Sequence, residues 1–105
     1  GLWAQWRLEE AGGGLRVAGD SVTLSCRGSG FNFGYYVVFW YRQSPGGSLE
    51  WVSLASPDSS VNLNGPAMEG RALVSRDNSR SESSLSLQDL RPQDSARYFC
   101  ALSHG

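Results

Sequence analysis

Hydrophobic and polar residues alternate over several short segments of the chain. Val22, Leu24 and Cys26 alternate with serine and threonine, and Val38 and Trp40 lie two positions apart a little further along. Successive side chains of a β-strand point to opposite faces, so each set is predicted to share one buried face of a strand. The pattern therefore predicts short strands with one face in a core.

The positions between these buried residues form a second set. Phe39, Tyr41 and Gln43 are predicted to point away from the face that carries Trp40, and Phe99 also points outward from its own segment. An apolar surface of this kind on a soluble domain usually marks a contact site. We therefore expect this outward face to be covered.

Turn residues separate the predicted strands, and no stretch of ten or more residues has a helical period. The stretches "SPGG", "SPD" and "NGP" are typical turn sequences. A chain of 105 residues is long enough for one domain. Evenly spaced short strands with a Cys…Trp…Cys pattern predict an all-β, two-sheet sandwich.

Charge is balanced along the chain, with nine basic and ten acidic residues and a formal net charge of −1. Binding to nucleic acid or to an anionic membrane surface needs a concentrated positive patch, which is missing from this sequence. The longest apolar run, residues 35–41, is far shorter than the ~20 residues that span a bilayer. We expect neither a nucleic-acid partner nor membrane insertion by this domain.

The two cysteines, Cys26 and Cys100, lie 74 positions apart (100 − 26). Zinc ligands cluster within a few residues of each other, so the spacing favours one long-range disulfide, with two unrelated buried thiols as the alternative. In the chain-entropy model, a loop of this length gives roughly 4.5 kcal/mol of stabilisation. A disulfide implies an oxidising compartment, hence a secreted or cell-surface protein.

Several motifs together resemble the variable domain of the immunoglobulin family. Cys26, Trp40 fourteen positions later and "DSARYFC" ending at Cys100 match its cysteine–tryptophan–cysteine pattern. The stretches "LEEAGGGL", "SCRGSGFNFG", "LEWVS" and "GRALVSRDNS" follow in the order of a heavy-chain-type domain. The resemblance covers residues 5–102 and implies an immunoglobulin-like V-set β-sandwich with Greek-key topology and one inter-sheet disulfide.

The resemblance places the variable domain at residues 5–105, after an N-terminal extension, residues 1–4, that is expected to be a processing or cloning remnant. The last strand of such domains, marked by Phe or Trp and Gly-x-Gly, has no counterpart in this sequence. We expect further chain or another segment to supply it.

The resemblance also implies structural roles. Trp40 is expected to pack on the disulfide, and Arg71 is expected to form a charge pair with Asp94. Tyr98 is expected to donate its hydroxyl to a backbone carbonyl near Gln93 or Asp94. Two positions depart from the family, because Ala72 and Ser83 stand where a large apolar residue is usual. We expect Leu73 and Met68 to rebuild the core there.

The sequence offers no catalytic or metal-binding constellation. His104, the only histidine, has no carboxylate near it in sequence, whereas catalysis needs a nucleophile or acid–base pair held by a third group. Asp58 and Asp77 lie in turns, where aspartate is favoured for its own backbone bonding, so they do not predict a calcium site. We expect no enzyme activity, no cofactor and no metal.

In this family three loops at one end of the sandwich bind antigen, and the resemblance places them at residues 30–37, 55–62 and 101–105. Tyr35 and Tyr36 are the strongest contact candidates, because tyrosine combines a large contact area with a polar group, while Phe31 and Phe33 are expected to anchor the first loop. The predicted antigen-binding residues are Asn32, Gly34, Tyr35, Tyr36, Ser56, Asp58, Ser59, Ser60, Asn62, Leu102, Ser103 and His104.

The outward aromatic face corresponds to the surface on which antibody and T-cell-receptor variable domains pair. The predicted interface residues are Phe39, Tyr41, Gln43, Leu49, Trp51 and Phe99. Single-domain heavy-chain antibodies usually replace the residues that correspond to Ser48, Leu49 and Trp51; in this chain Ser48 departs mildly from the pairing type, while Leu49 and Trp51 keep it. The resemblance therefore favours a second immunoglobulin variable domain as the partner; the alternative is an unpaired domain that covers the face with its own third loop.

The resemblance implies an antigen-recognition domain of a lymphocyte receptor at the cell surface, or secreted. Tyr41 in "YRQ" is commoner in T-cell-receptor chains than in antibody heavy chains, and this favours a heavy-chain-like variable domain of a T-cell receptor, in the delta or mu chain. The alternatives are an antibody heavy-chain variable domain and a non-clonal immunoglobulin-superfamily receptor or adhesion domain.

Overall fold

The computed structural model describes residues 6–104 except the side chain of His104, so the expected extension at residues 1–4 lies outside the described part. The chain forms eight strands: β1 (Arg7–Gly12), β2 (Val22–Ser29), β3 (Tyr36–Gln43), β4 (Leu49–Ala55), β5 (Asn62–Asn64), β6 (Ala72–Asp77), β7 (Glu82–Leu87) and β8 (Arg97–His104). Short 3₁₀ turns lie in the connections, and no α-helix occurs within residues 6–104. The prediction of an all-β chain is confirmed.

The strands form two antiparallel four-stranded sheets, in the orders β1-β2-β7-β6 and β5-β4-β3-β8. The alternation seen in the sequence sets their inner faces. Leu24 and Cys26 of β2 and Leu85 and Leu87 of β7 are buried, while the hydroxyl residues between them lie toward the outer face. The chain is a β-sandwich with one apolar core.

The disulfide between Cys26 and Cys100 joins the two sheets, as predicted. Trp40 is fully buried beside it and pairs in register with Cys100. The indole Nε1 of Trp40 donates a hydrogen bond to the Ser83 hydroxyl at 3.1 Å, and that hydroxyl donates to the carbonyl of Ser75 at 2.8 Å. A buried indole N–H needs a hydrogen-bond acceptor, and Ser83 supplies it. The serine that stands where the family usually has a large apolar residue is therefore part of the core.

One expectation about this part of the core is wrong. Met68 is fully buried, as expected, but Leu73 is 62% exposed and does not help to rebuild the core. The alternation of β6 turns Val74 inward and therefore turns Leu73 out.

A charge cluster closes the lower end of the sandwich. The Tyr98 hydroxyl donates to the backbone carbonyl of Asp94 at 2.7 Å, which is the bond expected from the sequence. Arg71 donates to both carboxylate oxygens of Asp94, at 2.7 and 3.0 Å. This bidentate pair is buried on the Asp94 side, so it is screened far less than a surface ion pair.

A second guanidinium reaches the same carboxylate. Arg42 of β3 is buried and donates to Asp94 at 2.9 Å, to the Tyr98 hydroxyl at 3.0 Å and to Glu50. Burial by itself would raise the pKa of the Asp94 carboxyl, but hydrogen bonds from Arg71, the Arg91 backbone and Arg42 hold that pKa well below its usual value. Asp94 is therefore a buried anion held between two cations.

The edge formed by β8 is open over part of its length. Within the described residues β8 pairs only with β3, and a cleft of about 500 Å³ opens between it and the segment of residues 10–18. Trp40 is among the residues that line the cleft although it is fully buried, and Leu15 and Val17 beside it are largely exposed. An unpaired edge strand is normally covered in a stable protein.

Candidate binding loops and pairing face

The first predicted loop, which connects β2 and β3, is built around one 3₁₀ turn, Phe33–Tyr35. The Asn32 side chain accepts a hydrogen bond from the Gly34 amide at 3.1 Å and so caps that turn. Phe33 is buried beneath the loop, whereas Tyr35 is 70% exposed. The turn thus places one aromatic in the core as an anchor and presents the next one to solvent.

An aromatic stack flanks this loop. Phe31 packs edge-on against Tyr36, with ring centroids 5.7 Å apart, and stacks on Trp6, with centroids 5.4 Å apart and the ring planes inclined by 27°. Gly28 forms the floor, because a Cβ there would lie 2.8 Å from Phe31 and 2.9 Å from Phe33. Tyr36 is consequently half-buried and partly structural. Trp6 stands before the first periodic segment, so no pattern in the sequence predicted its place here.

The second predicted loop is held by its own side chains. Asp58 accepts hydrogen bonds from the Ser60 amide at 2.9 Å and the Ser56 hydroxyl at 3.1 Å, and Ser56 accepts from the Val61 amide. Hydrogen bonds from the Ser60 side chain and backbone, followed by the bond from Ser56, stabilise the charged carboxylate and lower the pKa of Asp58. Ser59 adopts a positive φ of 64° at the exposed tip. The polar groups expected to contact antigen are therefore partly used to shape the loop, with Asn62 exposed at the start of β5.

Arg76 and Asn78 tie the first two loops together. The guanidinium of Arg76 donates to the carbonyls of Tyr36, Ala55 and Phe33 at 2.7–3.0 Å, and Asn78 donates to the Pro57 carbonyl at 2.7 Å. Neither residue was among the sequence candidates, since a charged residue and an asparagine near a turn are normally solvated. They fix the two loops relative to each other.

The structure does not show a loop at the third predicted position within the described residues. Residues 101–104 continue β8, so the strand, and not a loop, carries Leu102 and Ser103. Leu102 packs against the core and Ser103 is exposed. The expectation that Leu102 lies in a ligand-facing loop is corrected accordingly, because alternation along β8 turns it inward. The side chain of His104 and Gly105 lie outside the described part.

The outward face of the second sheet brings the predicted interface aromatics together. Trp51, Tyr41 and Phe99 are direct cross-strand neighbours on β4, β3 and β8. The Tyr41 ring stacks on Phe99, with centroids 5.9 Å apart, and on Phe39 at 6.2 Å. A row of aromatics across three strands is the unit that stabilises a sheet face.

The next row toward the lower end consists of Leu49, Gln43 and Arg97, which are paired in register. Leu49 is 55% exposed, and the Gln43 side-chain amide donates to the Gly47 carbonyl at 3.3 Å. The guanidinium of Arg97 lies 4.8 Å from the centre of the Phe99 ring. The face thus has an aromatic centre and a polar lower rim.

The register adds further apolar residues to the face. Phe39 pairs with Leu54 on one side and Ala101 on the other, and Leu54 pairs in turn with Leu63 of β5. None of these neighbours was predicted. For Leu54, a bulge between Trp40 and Tyr41 shifts the register of β4, so its place opposite Phe39 does not follow from simple alternation. We call the whole set the pairing face; its members are Phe39, Tyr41, Gln43, Leu49, Trp51, Leu54, Leu63, Arg97, Phe99 and Ala101.

Within residues 6–104, no group of three or more acidic, histidine or cysteine residues is arranged to hold a metal ion. Asp58 and Asp77 each accept the amide of the residue two positions on, as turn aspartates do. No helix in the described part is long and apolar enough to span a bilayer. The geometry offers surfaces for binding and no catalytic constellation among the described side chains.

One comparison with known families bears on these surfaces. The sequence model of the immunoglobulin V-set domain matches residues 15–105, which is most of the chain. The match includes both cysteines, the pairing face and the three predicted loops.

Proposed function

The chain belongs to the immunoglobulin V-set family, and from this we propose that it is the antigen-recognition domain of a lymphocyte antigen receptor. Domains of this family are typically non-enzymatic modules that bind ligands and commonly pair with other immunoglobulin domains. The disulfide places this one in an extracellular, oxidising setting. Within this frame we favour a T-cell-receptor chain with a heavy-chain-like variable domain, of the delta or mu type, at the cell surface.

The observation that carries the proposal is the separation of two surfaces on one scaffold. The first two loops form a fixed unit that presents the exposed Tyr35, while the pairing face with Tyr41 at its centre lies on the flank of the second sheet. A receptor needs both: loops held rigidly for recognition and a flank that assembles with a partner. Tyr41, in place of the valine common in antibody heavy chains, favours the T-cell-receptor type.

We propose that a second immunoglobulin variable domain covers the pairing face. The residues of this face are neighbours across four strands and are apolar at the centre. A contiguous apolar surface of this kind is typical of an interaction site, whereas single exposed apolar residues are not. An interface of standard size would bury about 800 Å² on this side. Gln43, exposed in the lower row, is suited to bond a polar counterpart across the interface.

We further propose that one more strand pairs with β8 and closes the cleft beside it. This follows from the unpaired edge of β8 in the described residues and from the exposed Leu15 and Val17 along the cleft. The intact mass of the native polypeptide, with its sequence read by fragmentation, tests whether the strand belongs to this chain. If the polypeptide has no such segment, the strand does not belong to this chain, and something else must cover the cleft.

The receptor proposal is tested by sequencing transcripts of this domain from single sorted lymphocytes. A clonal receptor predicts a shared framework up to Cys100, a stretch after it that differs between clones, and a T-cell-receptor constant region downstream. An antibody constant region would correct the receptor class. An identical sequence in every cell would contradict clonal recognition and favour a fixed receptor or adhesion domain.

A further inference from the structure

Arg97 introduces a positive charge into the pairing face. It is the first residue of β8, lies opposite Gln43 in register and points to the same side as Phe99, two positions on. Its guanidinium lies over the Phe99 ring at 4.8 Å from the centroid. The stacking holds the charge against the aromatic centre of the face, at the lower rim.

This charge has no acidic neighbour within the described residues. No carboxylate of residues 6–103 lies within 4.0 Å of Arg97. The other members of the pairing face are apolar, aromatic or uncharged polar residues. Glu50, which adjoins Leu49 on β4, is engaged with the buried Arg42. The face therefore carries a positive charge and no compensating negative one.

Covering the face changes the surroundings of Arg97. Removing a charge from water without a partner is costly, whereas a bidentate carboxylate satisfies a guanidinium well. A guanidinium placed over a ring still has N–H groups at its edge with which such a carboxylate can pair. A partner that seals the face is thus favoured if it brings an acidic side chain to this rim.

We propose that the partner is an immunoglobulin domain that presents an Asp or Glu against Arg97, and that this pair selects it among otherwise similar domains. The inference rests on the proposed pairing and adds the chemistry of the partner. A second copy of this chain does not fit, because its own pairing face would bring another Arg97 and no carboxylate. Charge pairs of this kind act mainly on partner choice and on the association rate.

The test uses a defined probe. A light-chain-type variable domain, with the exposed residues of its pairing sheet randomised, is displayed on yeast and selected for binding to the native protein. Parallel selections use Arg97→Glu, Arg97→Gln and the control Arg16→Glu, which makes the same charge change at an exposed position outside the face. Circular dichroism and melting temperatures verify that each variant is folded.

We expect the native protein to enrich Asp and Glu over Lys and Arg at a rim position, by about tenfold or more, as cross-interface charge pairs allow. Arg97→Glu should reverse this preference, Arg97→Gln should abolish it, and Arg16→Glu should keep it. The association rate of the selected acidic domains should fall with salt for the native protein and less so for Arg97→Gln.

Two results would overturn the inference in distinguishable ways. If domains pair equally well with all four proteins and no charge preference appears, the acidic partner is refuted while the proposed pairing stands. If no library member binds and the protein remains alone or forms a dimer of itself, the proposed pairing fails, and the inference fails with it.

Discussion

Replacing Asp94 by alanine tests the central structural claim about the lower end of the sandwich. Asp94 is 5% exposed, and its carboxylate accepts hydrogen bonds from two guanidiniums, those of Arg42 and Arg71. Its removal leaves the buried Arg42 without its main buried counter-charge and also removes the bond to the Arg91 amide. Losing one partner of a buried ion pair typically costs about 3–5 kcal/mol.

For a domain of this size, each 1 kcal/mol lowers the melting temperature by about 4–8 °C, so Asp94→Ala should lower it by more than ~10 °C. Thermal and urea unfolding followed by circular dichroism measure the loss. Asp94→Asn serves as the matched variant, because it keeps a hydrogen-bond acceptor and removes the charge; it should be destabilised less than the alanine variant. An unchanged midpoint for Asp94→Ala would refute the reasoning.

The same pair sets a pH dependence. Because the folded-state pKa of Asp94 lies below its ordinary value of 3.8, its contribution is present above that value and is lost as the pH falls toward the folded pKa. The native protein should therefore lose stability below about pH 4 more steeply than Asp94→Asn. Parallel acid-unfolding curves of the two proteins would contradict this assignment.

Three further substitutions test other parts of the account. Ser83→Ala should lower the free energy of unfolding by about 1–3 kcal/mol, because it leaves the buried Trp40 indole without its hydrogen-bond acceptor. Ser84→Ala, the control on the outer face of the same strand, should change the urea midpoint little. Gly65→Ala should lower the melting temperature clearly, since its Cβ would lie 2.3 Å from the Trp51 carbonyl, while Gly34→Ala meets only ordinary contacts. Tyr35→Ala should weaken ligand binding, measured by surface plasmon resonance, without a loss of stability; a binder indifferent to it would remove Tyr35 from the site.

Much of the fold could be predicted from period-two alternation. The burial of Trp40 and Cys26 and the outward direction of Phe39, Tyr41 and Phe99 follow from the alternation of side chains along a strand. The corner bond of Tyr98 was expected from the family resemblance, since alternation along a strand does not indicate it. The pair of Arg71 with Asp94 also depended on the resemblance, because no local pattern joins residues 23 positions apart.

Other features could not be predicted because they depend on partners distant in sequence. Arg42 occupies an inward position of β3, yet arginine is rarely buried unless paired, and its partner Asp94 lies 52 residues away. The hydrogen bonds from Arg76 to the first two loops and the stacking of Trp6 on Phe31 likewise exist only in the folded chain. Leu102 was misplaced because the sequence carries no signal for how far β8 continues.

Side-chain oxidation footprinting of the native assembly, compared with the isolated domain, tests the central claim most directly. We expect Leu49, Tyr41 and Phe99 on the pairing face to become protected in the assembly, while Tyr35 on the first loop stays as reactive as in the isolated domain. A pairing face equally reactive in both states, or a Tyr35 protected before any ligand is added, would contradict the assignment of one surface to a partner and the other to recognition.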